Sequence, residues 1–349
     1  MKRELKLLIT CRMRRKEVEI LITINGFSDD GSWYKGNLHS HTTNSDGNFT
    51  PQEAVKEFKK HGYSFLCISD HNLYTDYRGK LGEEDFLILP GVEAAAVLFD
   101  DEGRCRKVHH MNGILGTAAM QNKAPRLYQH REEVGPFLYY GKWDGAKAAT
   151  DLTQELHSRG CFVTYNHPIW SRVDAEEFVS AEGFEILEIF NYNTQNESET
   201  GYDTTYWDGM LRKGRHILAD ASDDNHNAGV FDDAFGGYIV VKAKALAYDN
   251  IIESILSGNY YSSSGPVIYD WGIREGKAYI TCSASERITF IADGFVGAGT
   301  AFVAKSENDL LQEAAFTLTG NETYIRAECR DLYGKKAWTN PIYIEHQGR

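Results

Sequence analysis

The feature that most restricts the fold is a theme that recurs between residues 36 and 265. Short, apolar, β-branched runs end in side chains that could ligate a metal ion, and helix-like segments fill several of the gaps. Strands that alternate with helices and are nearly continuous in apolar residues predict a parallel sheet covered by helices. Because many strand ends converge on one point only in a closed or nearly closed barrel, the pattern favours an α/β barrel. The segments are GNLHSHTTNSDGNFTP, SFLCISDH, FLILPGVEAAA, KVHHMNGIL, CFVTYNHP, FEILEIFN and RHILADASDDNH.

Start and stop residues mark several of the expected helices. Thr50 can cap a helix in which a proline takes the first position and Glu53 completes a capping box. Gly62 is placed to end that helix. Similar signals predict a helix that ends at Gly160 and a last one that ends at Gly258.

The pattern changes after a Ser- and Gly-rich linker that closes at about residue 265. Short, alternating, turn-separated segments follow, which predict a small all-β domain of about five strands that resembles a sandwich. Two β-like stretches, Lys6 to Thr10 and Val18 to Asn25, could pack on that domain, since chain termini often meet in space. We therefore predict three regions, at 1–35, 36–265 and 266–349.

Composition narrows the class of protein. The 349 residues carry a formal net charge of −13, which argues against a nucleic-acid partner in the absence of a local basic patch. No apolar run reaches membrane-spanning length, so no membrane partner is expected. The six cysteines are scattered without a CxxC pair, which predicts reduced thiols in a cytoplasmic protein. The sequence does not indicate an oligomeric state.

Histidines are concentrated in the strand-end segments. Side chains two apart on a strand point to the same face, so His39 and His41 could reach one ion. Asp224 and His226 repeat that spacing with a carboxylate. One strand-end histidine is more often simply solvated or hydrogen-bonded, but the joint occurrence of these motifs predicts a metal site. Imidazoles and carboxylates without thiolates suit Zn, Mn or Fe and argue against a closed structural zinc site.

The order of NLHSHTTNSDG, ISDHN, PGVEAA, HHMNGI, YNHP and SDDNH resembles that of the PHP (polymerase and histidinol phosphatase) family. The resemblance covers about residues 36–265 and implies a distorted (β/α)7 TIM-like barrel with two or three divalent metal ions. SGNYYSSSGP also resembles the close of the barrel in the branch that includes the CehA/McbA-type metallohydrolases. The expected fold is therefore α/β, a PHP-type barrel followed by a small all-β C-terminal domain.

The resemblance also implies nine metal ligands, among which Glu93 would bridge two ions. The first ion would be held by His39, His41, Glu93 and Asp224, the second by Glu93, His110 and His167, and the third by Asp46, His71 and His226. Some family members have histidine at the position of Asp46, so the third ion depends on that residue. His109 and His110 are adjacent, and on a strand only one of them can face the site. The run HMNGI fits the family pattern better with His110 as the ligand.

Three further residues have two readings each. Asp70 could orient His71 or another imidazole as a hydrogen-bond acceptor, or it could serve a turn or cap. Arg172 could bind an anionic group of the substrate or lie on the surface. Glu188 could face the barrel mouth or pair with a lysine.

The resemblance implies a metal-dependent phosphoesterase that acts on a small phosphorylated molecule, with attack by a water or hydroxide that bridges two metal ions. Glu93, Asp224 and His226 are the expected catalytic residues. No P-loop or Gly-x-Ser-x-Gly pattern competes with this interpretation. The same site could instead hydrolyse a carbamate, ester or amide. The acidic charge argues against a nuclease, and the complete ligand set argues against a ligand-sensing module without turnover.

Overall fold

The computed structural model describes residues 23–345. The predicted strand from Lys6 to Thr10 and most of the stretch from Val18 to Asn25 lie outside the described residues. The strands are β1 Ile24–Asn25, β2 Ser32–Asn37, β3 Phe65–Ile68, β4 Leu73–Thr75, β5 Leu87–Phe99, β6 Cys105–Leu115, β7 Arg131–Glu133, β8 Phe137–Tyr140, β9 Cys161–Asn166, β10 Ile186–Asn191, β11 Leu218–Ser222, β12 Tyr238–Ala243, β13 Tyr260–Ser263, β14 Ile268–Arg274, β15 Lys277–Ser285, β16 Arg287–Ala292, β17 Thr300–Val303, β18 Leu311–Thr317, β19 Tyr324–Arg330, β20 Lys336–Thr339 and β21 Ile342–Tyr343. The helices are α1 Pro51–Lys60, α2 Arg78–Leu81, α3 Ala118–Lys123, α4 Gly145–Ser158, α5 Ala175–Val179, α6 Tyr192–Ser198, α7 Thr204–Arg212 and α8 Tyr248–Leu256.

The chain divides into two compact units. One unit spans Gly31–Gly258 and is mixed α/β, with strands β2 to β12 and helices α1 to α8. The other combines residues 23–30 with residues 259–345. Every predicted metal ligand belongs to the Gly31–Gly258 unit. Within residues 23–345, no helix has both the length and the apolar character needed to cross a membrane.

The Gly31–Gly258 unit is built on one large sheet, called the main sheet below. Its hydrogen-bonded order is β12-β2-β3-β5-β6-β9-β10-β11. Six of these strands, β2, β3, β5, β9, β10 and β11, run in one direction, whereas β6 and β12 run in the other. The carboxyl ends of six strands therefore lie at the same edge, where side chains from distant parts of the sequence can meet.

The main sheet is mixed, so the prediction of a wholly parallel sheet is wrong for β6 and β12. β5 and β6 are joined only by residues 100–104, and a connection this short permits a hairpin but no parallel crossover. Their antiparallel ladder runs from Gly91↔Ile114 to Phe99↔Cys105 and includes Ala95↔His110. This long hairpin brings a histidine of β6 to the same edge as the ends of the parallel strands.

Helix α1 forms where the sequence predicted it. The Thr50 side chain accepts a hydrogen bond from the Glu53 backbone N–H, and the Glu53 carboxylate accepts from the Thr50 backbone N–H, which completes the capping box. Ala54, Val55 and Phe58 are buried in a core cluster that also contains side chains of β3. The helix thus fixes the crossover from β2 to β3 by apolar burial. Helices α4 and α8 also confirm predicted helical segments.

The described residues of the second unit form strands and turns only. β1, β14, β15 and β18 make one four-stranded antiparallel sheet, in which Ile24 pairs with Ile273. β16 pairs with β17 and β19, and β19 pairs with β20 and β21. Trp271 and Trp338 are each 1% exposed, so these indoles pack in the core of this unit.

A substitution at Gly36 of β2 would test how tightly the main sheet is packed there. It pairs with Phe65 of β3, and a Cβ at Gly36 would lie 2.0 Å from that ring. We expect Gly36→Ala to lower the free energy of unfolding by about 1–3 kcal/mol, because the ring must shift in a packed core. Thermal or urea unfolding measures this. Gly79→Ala is the control, since a Cβ there has open space around it; equal effects of the two substitutions would contradict the packing argument.

Candidate metal centre

The carboxyl edge of the main sheet gathers all nine predicted ligands. Each lies on a strand or in the loop that follows one: His39 and His41 after β2, Asp46 before α1, His71 after β3, Glu93 in β5, His110 in β6, His167 after β9, and Asp224 and His226 after β11. Two backbone bridges, Ser40↔Asn225 and His71↔Glu93, hold neighbouring segments together beyond the strand ends.

Glu93 lies at the middle of this assembly. Its carboxylate is fully buried. The two oxygens lie within 3.4 Å of five imidazole rings: His71 Nδ1 at 2.8 Å, His39 Nε2 at 3.2 Å, His167 Nε2 at 3.3 Å, and His41 Nε2 and His110 Nδ1 at 3.4 Å. One carboxylate with imidazoles on both oxygens can serve more than one cation position.

Asp224 completes a buried group with His39, His41 and Glu93, called the central group. Asp224 Oδ1 lies 3.1 Å from His39 Nε2 and 3.0 Å from His41 Nε2. The same two histidine nitrogens lie 3.1 Å from each other. Four ligand atoms of two types therefore converge on one point, as the His-x-His spacing predicted.

Asp46 belongs to an outer group with His41, His71 and His226. Its carboxylate oxygens lie 3.4 Å from His226 Nε2, 3.6 Å from His71 Nε2 and 3.8 Å from His41 Nδ1. The Asp46 side chain is 55% exposed, unlike the carboxylates of the central group. The outer group therefore lies toward solvent, and His41 links it to the central group through its second ring nitrogen.

His110 and His109 point to opposite faces of β6. His110 Nδ1 is 3.4 Å from Glu93, and His71, Glu93 and His110 form a further group of potential ligands. His109 is buried on the other side, where its Nδ1 is hydrogen-bonded to the Tyr165 hydroxyl and its ring stacks on Trp143 with centroids 4.5 Å apart. The geometry thus favours His110 as the ligand and gives His109 a role in packing.

Glu188 touches two of the predicted ligands, which neither of its sequence readings anticipated. Its Oε1 lies 3.0 Å from His39 Nδ1, and its Oε2 accepts the His167 backbone N–H at 3.0 Å. Asn191 donates to the same Oε2 at 2.9 Å. A proton on His39 Nδ1 that is donated to Glu188 leaves Nε2 with a lone pair directed at the central group.

Sequence reasoning missed a layer of asparagine side chains around the carboxylates. Asn166 donates to Glu93 Oε1 at 2.9 Å, and Asn191 donates to Asp224 Oδ2 at 3.1 Å. Asn193 donates to the Asp224 backbone carbonyl at 2.8 Å and lies 2.9 Å from His226 Nδ1. Their only sequence signal is that Asn166 and Asn191 end apolar strands beside predicted ligands.

Asp70 holds a loop and does not orient an imidazole through any hydrogen bond of the described residues. Its carboxylate accepts from the Thr42 backbone N–H at 2.7 Å and from the Ser45 hydroxyl at 3.0 Å. It therefore fixes the loop that carries Asp46. Arg172 is exposed and is absent from the residues that line the cavity over the site, so the anion-binding reading gains no support.

Two predicted ligands have unusual backbone conformations. His167 has φ 25° and Asp224 has φ 55°, in the region that side chains other than glycine rarely adopt. Asp224 is held there by its N–H, which donates to the His39 carbonyl at 3.0 Å. Backbone strain of this kind costs about 1–3 kcal/mol and concentrates at functional sites.

The surrounding imidazoles keep the carboxylates ionised. Burial raises the pKa of Glu93, but the neighbouring histidines outweigh burial and hold that pKa well below its usual range. Burial also raises the pKa of Asp224, and His39 and His41 more than offset it. The pKa of Asp46 is likewise lowered despite burial, chiefly by its hydrogen bond with His226. Ionised carboxylates are the form that binds metal.

The histidine pKa values diverge within the site. Burial and the nearby His71 lower the pKa of His41 to about 4, and burial lowers the pKa of His110 to about 3. Burial lowers the pKa of His226 as well, but the hydrogen bond with Asp46 raises it more, to about 9. His41 and His110 are therefore neutral at pH 7 and offer lone pairs, whereas His226 would release a proton on binding a cation.

Buried atoms without hydrogen bonds show that this donor set suits divalent ions. Glu93 Oε2 and His110 Nδ1 are both buried and lack a hydrogen-bond partner. His71 Nδ1 lies 2.8 Å from Glu93 Oε2, but not in the geometry of a hydrogen bond. Buried polar atoms are almost always paired, and carboxylate and imidazole atoms left unpaired at one point are suited to a divalent metal ion.

No protein-family model and no curated protein matches the chain. Among solved structures, one similar chain is a two-domain protein from Bacteroides vulgatus described as containing a predicted PHP-like metal-dependent phosphoesterase, with 13% identity, a TM-score of 0.43, and 97% of this chain and 92% of that chain covered. Another, from Bifidobacterium adolescentis, is described as a proposed metal-dependent phosphoesterase. It has 18% identity and a TM-score of 0.38, with 66% of this chain and 96% of that chain covered. A third is an amidohydrolase from Chromobacterium violaceum with bound sulfate and no metal. It has 13% identity and a TM-score of 0.37, with 64% of this chain and 96% of that chain covered. At these identities and TM-scores the similarities carry no functional assignment.

The adjacent histidines of β6 give a matched pair of variants. We expect His110→Ala to lose bound metal, because it removes a ligand atom that faces Glu93. His109→Ala should keep the metal but unfold more easily by about 2–4 kcal/mol, because a packed ring is lost and the Tyr165 hydroxyl is left unpaired. Elemental analysis after dialysis and thermal unfolding measure the two effects. Metal loss in His109→Ala with retention in His110→Ala would contradict the assignment.

Glu188→Gln tests whether the carboxylate orients His39. We expect a 10- to 100-fold loss of metal affinity, roughly the effect of removing a partner of a metal-bound histidine. Isothermal titration with Zn²⁺ or Mn²⁺ measures it. Glu84→Gln is the control with the same charge change, since Glu84 is exposed and is not among the residues that line the cavity. Equal affinities of the two variants would rule out the orienting role.

Proposed function

We propose that the chain is a metal-dependent hydrolase that cleaves a phosphate ester of a small molecule. The observation that carries the proposal is the sharing of Glu93 and His41 between overlapping groups of potential ligands, which places several possible cation positions side by side. Adjacent divalent cations suit a phosphoryl group, whose oxygens they can bind together. We further propose that the main sheet is the distorted (β/α)7 barrel implied by the PHP resemblance, with two or three ions of Zn, Mn or Fe.

The overlapping groups suggest how the ligands divide. His39, His41, Glu93 and Asp224 would hold one ion, and the outer group of His41, Asp46, His71 and His226 would hold another. Glu93 and His110 would hold the remaining ion, with either His71 or His167 beside them, since both rings approach Glu93. This division differs from the expectation based on resemblance in that His41 and His71 each contact two groups.

The ions, when bound, would lower the pKa of a water toward neutrality and offset negative charge on the phosphoryl oxygens. The residues of the chain orient the ligands for this. Glu188 fixes the His39 ring, Asn166 fixes one oxygen of Glu93, and Asn191 fixes one oxygen of Asp224. Hydrogen bonds of this kind hold the ligand side chains in the orientation that metal binding requires.

A cavity of about 320 Å³ opens onto the ligands. Asp46, His71, Glu93, Asp224 and His226 are among the residues that line it. This volume lies at the small end of the range for ligand pockets, which is about 300–1,000 Å³. We therefore propose a small molecule as the substrate and not a polymer.

A carbamate, ester or amide is the second candidate substrate. The observation that favours it is the absence of lysine and arginine from the residues that line the cavity. An uncharged acyl group needs no cation of the protein, whereas many phosphate sites use arginine or lysine. Turnover of aryl esters or carbamates without turnover of phosphate esters would select this candidate.

Loading with Mn²⁺ or Zn²⁺ should produce hydrolysis of para-nitrophenyl phosphate. We expect Asp224→Ala to lower kcat/KM by about a thousandfold or more, because it removes several kcal/mol of metal-dependent stabilisation at about 1.4 kcal/mol per tenfold. Chelation should abolish turnover and lower the Tm, and re-addition of metal should restore both.

Asp101→Ala is the control, since Asp101 is exposed in the β5–β6 turn. It should hydrolyse the phosphate ester at the rate of the parent protein. Absence of turnover on a panel of phosphate esters, with full metal occupancy verified by elemental analysis, would refute the phosphoesterase proposal. Inhibition of ester hydrolysis by inorganic phosphate would instead favour phosphate as the natural ligand.

A further inference from the structure

The cavity over the ligands carries an unusual distribution of charge. Besides seven of the predicted metal ligands, it is lined by two aromatic side chains, Trp170 and Phe231, by two carboxylates, Glu197 and Asp233, and by three small or uncharged polar residues. No lysine or arginine is among these lining residues. Any negative group of a substrate that does not reach the metal ions would therefore meet carboxylates without a compensating cation.

Trp170 places an electron-rich ring next to the ligands. Its ring centroid lies 5.2 Å from that of His167 and 6.4 Å from that of His110. The indole Nε1–H donates to Glu197 Oε2 at 2.5 Å, which fixes the ring beside a carboxylate. An indole face attracts cations, and a carboxylate at its edge adds to that attraction.

Asp233 adds negative charge to the lining of the cavity, but its carboxylate is held by the backbone and cannot turn toward a ligand. It is 5% exposed, and its Oδ2 accepts the backbone N–H groups of His226 and Asn227 at 2.8 Å each. Glu197, by contrast, is exposed and makes its described hydrogen bond through Oε2. Glu197 is therefore the carboxylate best placed to meet a charged group of a ligand.

We propose that the substrate is a phosphate ester whose leaving group has no negative charge, and that a leaving group with an ammonium ion is bound at Trp170 and Glu197 in preference to one with a carboxylate. The inference rests on the proposed phosphoesterase function, in which the metal ions neutralise the phosphoryl group. Nucleoside polyphosphates and phosphorylated sugar acids are excluded as good substrates, because their further negative charges would face Glu197 and Asp233.

Three para-substituted phenyl phosphates test the preference with metal-loaded protein. They carry a trimethylammoniomethyl, an ethyl or a carboxymethyl group, and each kcat/KM is divided by the rate of uncatalysed hydrolysis of the same ester, which corrects for the different acidities of the phenols. We expect kcat/KM to fall in that order, by about tenfold or more from the first to the last, at low ionic strength. Added salt should reduce the difference, because the charge at Glu197 is exposed to solvent.

Glu197→Gln should lower the ratio of kcat/KM for the ammonium ester to that for the carboxylate ester several-fold. Glu84→Gln makes the same charge change at an exposed site outside the cavity and should leave the ratio unchanged. Equal or faster hydrolysis of the carboxymethyl ester would overturn the inference, as would the same ratio in both variants.

Binding of the matching phenylphosphonates separates this inference from the proposed function. If none of the three esters is hydrolysed at full metal occupancy, the phosphoesterase proposal fails. Tighter binding of the trimethylammoniomethyl phosphonate, by about tenfold in Kd, would then still uphold the charge preference of the cavity. Equal Kd values for the ammonium and carboxylate phosphonates would overturn it.

Discussion

The burial of the Glu93 carboxylate among five imidazole rings is the interaction on which the rest of the site depends. A buried carboxylate is unfavourable unless cations or hydrogen-bond donors surround it. Here the rings come from β2, β3, β6 and β9, so no single segment could supply them. The mixed main sheet is required for this, because the β5–β6 hairpin delivers His110 to an edge otherwise built from parallel strands.

A second layer of polar side chains surrounds the predicted ligands. Hydrogen-bond donors of this layer contact the ligand carboxylates, and an acceptor contacts an imidazole. Amide groups of Asn166 and Asn191 donate to carboxylates, whereas Glu188 lies against an imidazole nitrogen. Glu188 contacts His39 Nδ1 and Asn191 contacts Asp224 Oδ2, so His39 Nε2 and Asp224 Oδ1 keep lone pairs for the central group. His167 and Asp224 also have positive φ angles, which are unfavourable for residues with a side chain. Backbone strain at these two positions is consistent with a requirement to orient the ligand side chains.

The structure brings the nine predicted ligands together at one edge of the main sheet, but several contacts of the neighbouring residues were not predicted. Ligand types at strand ends and the His39-x-His41 spacing follow from strand geometry, which is local and periodic. Strand geometry also requires that only one of His109 and His110 faces the site, but the choice of His110 rests on the resemblance of HMNGI to the PHP pattern. The roles of Glu188 and Asp70 do not follow from strand geometry, because each depends on which loop or ring lies beside it after folding. The antiparallel course of β6 could have been inferred, since the connection at residues 100–104 is too short for a crossover.

The charge of the cavity links metal occupancy to the binding of anions. The lining residues contain carboxylates and imidazoles but no lysine or arginine, so bound metal ions would be the main source of positive charge for a phosphate group. By linkage, an anion that binds only the metal-loaded protein raises metal affinity by the same factor that the metal raises anion affinity. Glu93 and Asp224 thus set the preference for anions indirectly, through the cations that their ionised carboxylates can hold.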